Sequence, residues 1–152
     1  MSIDDLNDQT HLHPPEAPAM AMYADDAASK GLGMEIVEVG YGRATVTMTI
    51  RADMVNGLDI CHGGIIFALA DSAMAFATNS YNRYAVATMA EIDWIRPGRK
   101  GAVLTAVAEE RHKRGRSAIT DVVVTDDSGL TIAVFRGRTR QIEGQHLPDP
   151  GR

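Results

Sequence analysis

Between Cys61 and Asn82 the chain carries one carboxylate, Asp71. It stands among Leu69, Ala70, Ala73 and Met74. An ionised carboxylate buried without a partner costs several kcal/mol. Aspartate is also worse than alanine inside a helix, by up to about 0.7 kcal/mol. A residue doubly unfavourable where it stands invites a functional explanation, as a nucleophile or general base. A structural aspartate, hydrogen-bonded or facing solvent, is the alternative. Eight residues earlier, Gly63-Gly64 opens the same stretch. At a helix start the first backbone N–H groups lack acceptors and carry the positive end of the dipole. Without side chains there, a ligand carbonyl can come close. The pair can form an oxyanion hole for acyl transfer, or simply a glycine turn.

The neighbouring residues divide in the same way. His62 abuts the glycines and suits either a cap or a site role. Asn56 suits a site or a loop turn. Cys61 has no independent His-and-Asp arrangement to activate it, and a buried free thiol is usually inert. Arg111-His112-Lys113-Arg114-Gly115-Arg116 is the densest basic run in the chain. Arginine suits phosphates, and a solvated hairpin tip is the plainer reading. Arg96, Arg99 and Lys100 form a second, weaker patch. Met74, Phe76 and Met89 read as core, with some able to line an acyl pocket. Trp94 reads as a strand residue packed against a helix or a partner subunit. His11 and His13 lack the further ligands a metal needs.

Periodicity supplies the elements that hold these residues. Apolar positions at spacings of three and four (Met20, Tyr23, Ala24, Ala27, Ala28) predict a helix over 18–29. Met34, Ile36 and Val39 suggest a short strand, and alternation over 44–50 a second, joined as a hairpin by Gly40-Tyr41-Gly42. Residues 52–61 form a loop. The alanine-rich stretch 62–80 is apolar on almost every face, so it predicts a helix buried nearly all round. Strands follow over about 86–96, 102–111, 117–125 and 130–141, with turns at Pro97-Gly98, Arg114-Gly115 and Asp126–Gly129. Short connections imply antiparallel pairing. The result is an α+β fold, a curved six-stranded antiparallel sheet around one central helix. One sheet cannot cover the whole helix, and a second copy of the chain is the simplest cover.

The 152 residues suit one domain over 17–142, with loose tails at 1–16 and 143–152. The 15 basic and 20 acidic residues leave a net charge of −5, which argues against a general nucleic-acid partner. The N-terminal residues lack a signal-peptide pattern, and no apolar run approaches the roughly 20 residues of a membrane span. A single cysteine excludes an intrachain disulfide and a Cys-based zinc site, and suits a cytoplasmic setting. Gly63 and Asp71 lie about 12 Å apart along a helix axis. One carbonyl cannot touch both within a chain, but antiparallel central helices in a two-fold dimer would join them.

Asn56, Cys61-His62-Gly63-Gly64 and Phe67-Ala68-Leu69-Ala70-Asp71-Ser72-Ala73 together resemble the signature of hotdog-fold acyl-CoA thioesterases. The likeness is greatest to the phenylacetic-acid-degradation branch. Ile95-Arg96-Pro97 and Phe135-Arg136-Gly137 extend it over about residues 18–141. The resemblance implies a dimer, often pairing into a tetramer. It implies Gly63 N–H as oxyanion donor, Asp71 as nucleophile or base from the opposite subunit, and His62 and Asn56 arranging the thioester. Gly64 and Arg111, Lys113, Arg114 and Arg116 are the candidate substrate contacts. No metal or resident cofactor is expected, coenzyme A being part of the substrate. A medium-sized acyl group would be released as free acid, and the subfamily likeness alone suggests an aromatic one. A branch with glutamate at position 71 carries threonine one turn later; here that position is Ala75. The rivals are a non-catalytic acyl-CoA sensor and a thioesterase acting on acyl-carrier protein.

Overall fold

The computed structural model describes residues 12–151. Helix α1 (Glu16–Ala24) and helix α2 (Ala27–Gly31) precede strands β1 (Glu35–Gly40) and β2 (Arg43–Thr49). A 3₁₀ turn over Ala52–Met54 leads to the central helix α3 (Gly63–Asn79). Strands β3 (Ala85–Trp94), β4 (Val103–Arg114), β5 (Ser117–Thr125) and β6 (Thr131–Gln141) complete the chain. The six strands form one antiparallel sheet in the order β1-β2-β4-β5-β6-β3. It curls around α3, which touches every strand.

Alternation does the positioning. Ala44, Val46 and Met48 of β2, Leu104, Ala106 and Ala108 of β4, and Val122 and Val124 of β5 are buried. They meet Ile66, Leu69, Ala73, Met74 and Phe76 of α3 in one core. Gly137 of β6 is glycine because Met74 Sδ and Cε occupy the space a Cβ would fill.

Three expectations need correction. The helix expected over 18–29 is two helices. Asp26 interrupts it by capping α2, its carboxylate accepting from Ser29 N (2.9 Å) and Ser29 Oγ (2.6 Å). Ser29 Oγ then meets Ser72 Oγ of α3 at 3.1 Å. Of the expected stripe Tyr23 packs against Phe76 of the core, but Met20, Ala24, Ala27 and Ala28 are exposed, while Pro18, Ala19 and Ser29 are buried. Strand β4 runs on to Arg114 through a bulge at Glu110/His112, instead of stopping at 111.

The C-terminal segment expected to fray from 144 is fastened along most of its length. Asn82 exchanges two hydrogen bonds with Leu147, both 2.9 Å. His146 Nε2 lies 2.7 Å from Asn79 Oδ1, and its ring stands edge-on to Tyr84. Asn79 also donates to Ala75 O and Ala85 O and accepts from Ala85 N. With all of these bonds made, Asn79 can sit buried at the end of α3. Burial holds the His146 pKa below its ordinary value. At the other terminus, His13 Nε2 bonds Pro148 O (2.9 Å) and His13 O accepts from Tyr41 Oη (2.7 Å). His11 lies outside the described residues.

Candidate active site

His62 caps α3: its Nδ1 accepts from Gly64 N at 2.9 Å. Its carbonyl takes Ile65 N at 2.9 Å, and its own N–H donates to Met54 O at 2.8 Å. Three of the four N–H groups that a helix start leaves open are therefore satisfied. The Gly63 N–H is the fourth, and it has no acceptor among the described residues. Because His62 Nδ1 accepts, the neutral ring carries its proton on Nε2. The structure thus separates the two glycines. Gly64 spends its N–H on the cap, and Gly63 keeps its own available.

Gly63 lines an open cleft of about 380 Å³ with Asn56, Ile60, Cys61, Ile66, Trp94, Ile95, Arg96 and Pro97. Asn56 shapes the cleft's loop through its Oδ1, which accepts from Leu58 N (2.9 Å). Trp94 covers the helix start, with Nε1 donating to Gly63 O at 3.1 Å. A Cβ on Gly63 would lie 3.1 Å from that indole. Cys61 is buried beside the cleft, and burial pushes its thiol pKa to about 11. It is a wall, with no thiolate to offer at neutral pH.

Asp71 stands two turns further along α3, half-buried, with no hydrogen bond or ion pair among the described residues. Burial raises its pKa above the ordinary carboxylate range. Gly64, Phe67, Ala68, Asp71 and Ala75 recur at helical spacing, and each is half-buried or exposed. They form the stripe of α3 that the sheet covers incompletely, with Phe67 turned edge-on to Phe135 of β6. Asp71 shares this stripe with the glycine end, but about 12 Å of axis separates them.

The structure places the basic run elsewhere. It lies on the β4–β5 hairpin, beside Tyr81 just past the far end of α3. Arg111 is engaged with Glu109 (3.3 Å) and Asp121 (3.2 Å). Lys113 Nζ sits 3.5 Å from the centre of the Tyr81 ring. Its ammonium is half-buried, and desolvation lowers its pKa, partly offset by Glu110. Arg114 and Arg116 make no ion pair among the described residues. Within one protomer Arg96, from the weaker patch, is the arginine at the cleft, its Nη1 donating to Thr131 O (2.9 Å). Sequence reasoning left Trp94 without a part in the chemistry, although a tryptophan just ahead of the Ile95-Arg96-Pro97 match was a signal.

A curled sheet around a central helix, with a free N–H at the helix start and a carboxylate on its open stripe, defines a class. The chain belongs to the thioesterase superfamily, whose family model matches residues 58–133, and its fold is the hotdog fold. Among particular proteins it is similar to acyl-coenzyme A thioesterase PaaI of Escherichia coli (strain K12). The two are 44% identical over 126 residues, which cover 83% of this chain and 90% of the relative. The solved structure of the E. coli PaaI protein from the phenylacetic acid degradation operon superposes with a TM-score of 0.86. It is 42% identical, and the match covers 90% of this chain and 99% of that one. A mutant of the phenylacetic acid degradation protein PaaI from Thermus thermophilus superposes with a TM-score of 0.74. That match has 34% identity and covers 77% of this chain and all of the other.

Proposed function

We propose that this enzyme hydrolyses acyl-CoA thioesters at sites shared across a two-fold dimer. One observation carries the reading: the free Gly63 N–H at the start of α3 and the unpartnered Asp71 two turns along it lie too far apart for one carbonyl to reach. An antiparallel second α3 brings Asp71 of one protomer towards Gly63 of the other, and makes two sites per dimer. The edge of β3 is open for the same pairing, since β3 ends the sheet order. The kinship with an acyl-coenzyme A thioesterase supports the reaction.

In the reaction the thioester carbonyl accepts from Gly63 N–H, which stabilises the oxyanion as the carbonyl carbon turns tetrahedral. The partner's Asp71 takes a proton from water as the water attacks. The carbon–sulfur bond then breaks, and coenzyme A leaves as a thiolate that picks up the proton. The free acid is the other product. Burial without a partner raises the Asp71 pKa, which makes its carboxylate a stronger base than a solvated one. Direct attack by Asp71 through an anhydride is the alternative. Incorporation of solvent ¹⁸O into the Asp71 carboxylate in a single turnover would reveal it.

The cleft's apolar lining from Ile60, Ile66, Trp94, Ile95 and Pro97 suits a medium-sized acyl group. The phenylacetic acid degradation names of the relatives favour an aromatic one. In this reading Asn56 and His62 arrange the thioester, while Arg96 and the partner's hairpin arginines meet the coenzyme A phosphates. No resident cofactor takes part. The dimers pair into a tetramer through the outer sheet face, where Val107, Val123 and Val134 stand in register across β4, β5 and β6. No described helix is long and apolar enough to cross a membrane, and a cytoplasmic setting belongs to the same reading.

The test is thiol release from phenylacetyl-, hydroxyphenylacetyl-, benzoyl-, hexanoyl- and palmitoyl-CoA. Release that depends on Asp71 supports the proposal and ranks the acyl groups. Tight acyl-CoA binding without release would replace it with a binding module. Silence with every acyl-CoA, but release from an acyl-carrier protein, would change the carrier.

A further inference from the structure

Trp94 closes β3 and is 53% exposed. Its one polar atom is committed: Nε1 donates to Gly63 O at 3.1 Å. That carbonyl belongs to the same peptide unit as the Gly64 N–H, which donates to His62 Nδ1 at 2.9 Å. A single peptide unit is therefore held at both ends, by an indole at its oxygen and an imidazole at its hydrogen. A peptide whose oxygen accepts a hydrogen bond is polarised into a better donor through its N–H. The indole bond thus strengthens the cap that keeps His62 Nδ1 unprotonated and leaves the ring proton on Nε2. The same contact fixes the first turn of α3, because the indole lies where any Cβ on Gly63 would go.

We propose that Trp94 is a positioning residue that acts through the Gly63–Gly64 peptide: it steadies the cap from Gly64 N–H to His62 and so sets the tautomer of His62. The inference rests on the proposed function for its consequence in turnover. The clamp itself is a statement about hydrogen bonds that a spectrum can read without substrate. Phenylalanine retains an aromatic wall and removes the donor, so Trp94→Phe isolates the N–H. Benzothienylalanine at position 94 does the same while keeping the bicyclic shape.

The experiment records the ¹⁵N shifts of the His62 ring in the full-length protein, alongside steady-state kinetics on the acyl-CoA that the panel ranks first. Wild type is expected to show Nε2 protonated and Nδ1 bare. Both variants are expected to populate the Nδ1–H tautomer and to lose about three- to tenfold in kcat, the reach of one neutral hydrogen bond, with KM little changed in the benzothienylalanine protein, which keeps the cleft wall. A His62 tautomer unchanged in the benzothienylalanine protein overturns the inference, whatever the kinetics. If wild type shows the clamp and its loss in the variants but turns over no acyl-CoA, the clamp stands and the proposed reaction falls.

Discussion

Asp71→Asn separates the two things a carboxylate can do on α3. The exchange keeps size and shape, and the two residues have similar helix propensities. No hydrogen bond or ion pair among the described residues is lost with the charge. What remains is burial, which raises the Asp71 pKa above the ordinary 3.8. A carboxyl whose folded pKa is raised contributes stability that is complete below its unfolded pKa. That contribution is lost as pH rises through the folded value. As pH rises above 3.8 the wild type loses it progressively, and asparagine does not. Asp71→Asn is therefore expected to melt at or above the wild-type temperature at pH 7, with the gap closing as pH falls below 3.8. Activity moves the other way. Removing a general base costs about 10²- to 10⁴-fold in turnover, or about 2.7–5.4 kcal/mol of barrier. Melting curves from about pH 3 to pH 8 and thiol release at pH 7 read the two quantities. A variant that melts well below wild type at pH 7 and turns over within about twofold of it would refute the reasoning. Asp71 would then be a structural acceptor.

The shared site predicts complementation. Asp71→Asn and Gly63→Val should each be inactive alone, while purified mixed dimers should recover about half the wild-type rate, since one of the two sites is rebuilt. Mixed dimers no better than their parents would place the whole site within one chain. Burial holds the His146 pKa below 6.5, so stability should fall as pH drops below 6.5 towards the folded value. His146→Gln should flatten that slope in urea titrations, and an unchanged slope would assign it to another group. The thiol of Cys61, with its pKa pushed to about 11, should resist disulfide reagents until the protein unfolds, so the thiol-release assay reads coenzyme A alone.

What the chain discloses on its own follows the range of the interactions involved. Alternation over 44–50 and 117–125 and the apolar stretch 62–80 report burial residue by residue, so these elements lie within a residue or two of their expected bounds. The Gly63–Asp71 pair was legible because helix geometry is local and its rise is constant. Asp25-Asp26 misled because a helical stripe counts apolar positions and gives no weight to a side chain that caps the next helix. The 144–149 segment is polar and short, and it adheres through Asn79, Asn82 and Tyr84, all far away in sequence. The partners of the hairpin cations were hidden in the same way. Arg111 finds Glu109 and Asp121 only once β4 and β5 pair, and composition counts charges without their partners. Trp94 reaches Gly63 across the gap between β3 and α3, a contact that no spacing rule expresses.

The place of β3 in the sheet also sets an order of assembly. Strands β4, β5 and β6 pair with their neighbours in sequence, and short loops close quickly. Among the described residues strand β3 pairs only with β6, the last strand to emerge, and its other edge stays open. Until β6 arrives, β3 has two unsatisfied edges and an apolar end at Trp94 and Ile95. The strand that presents Trp94 to the start of α3 is thus among the last to be secured. A chain halted before residue 131 would hold the helix, the glycines and Asp71, yet lack the strand that anchors the indole above them.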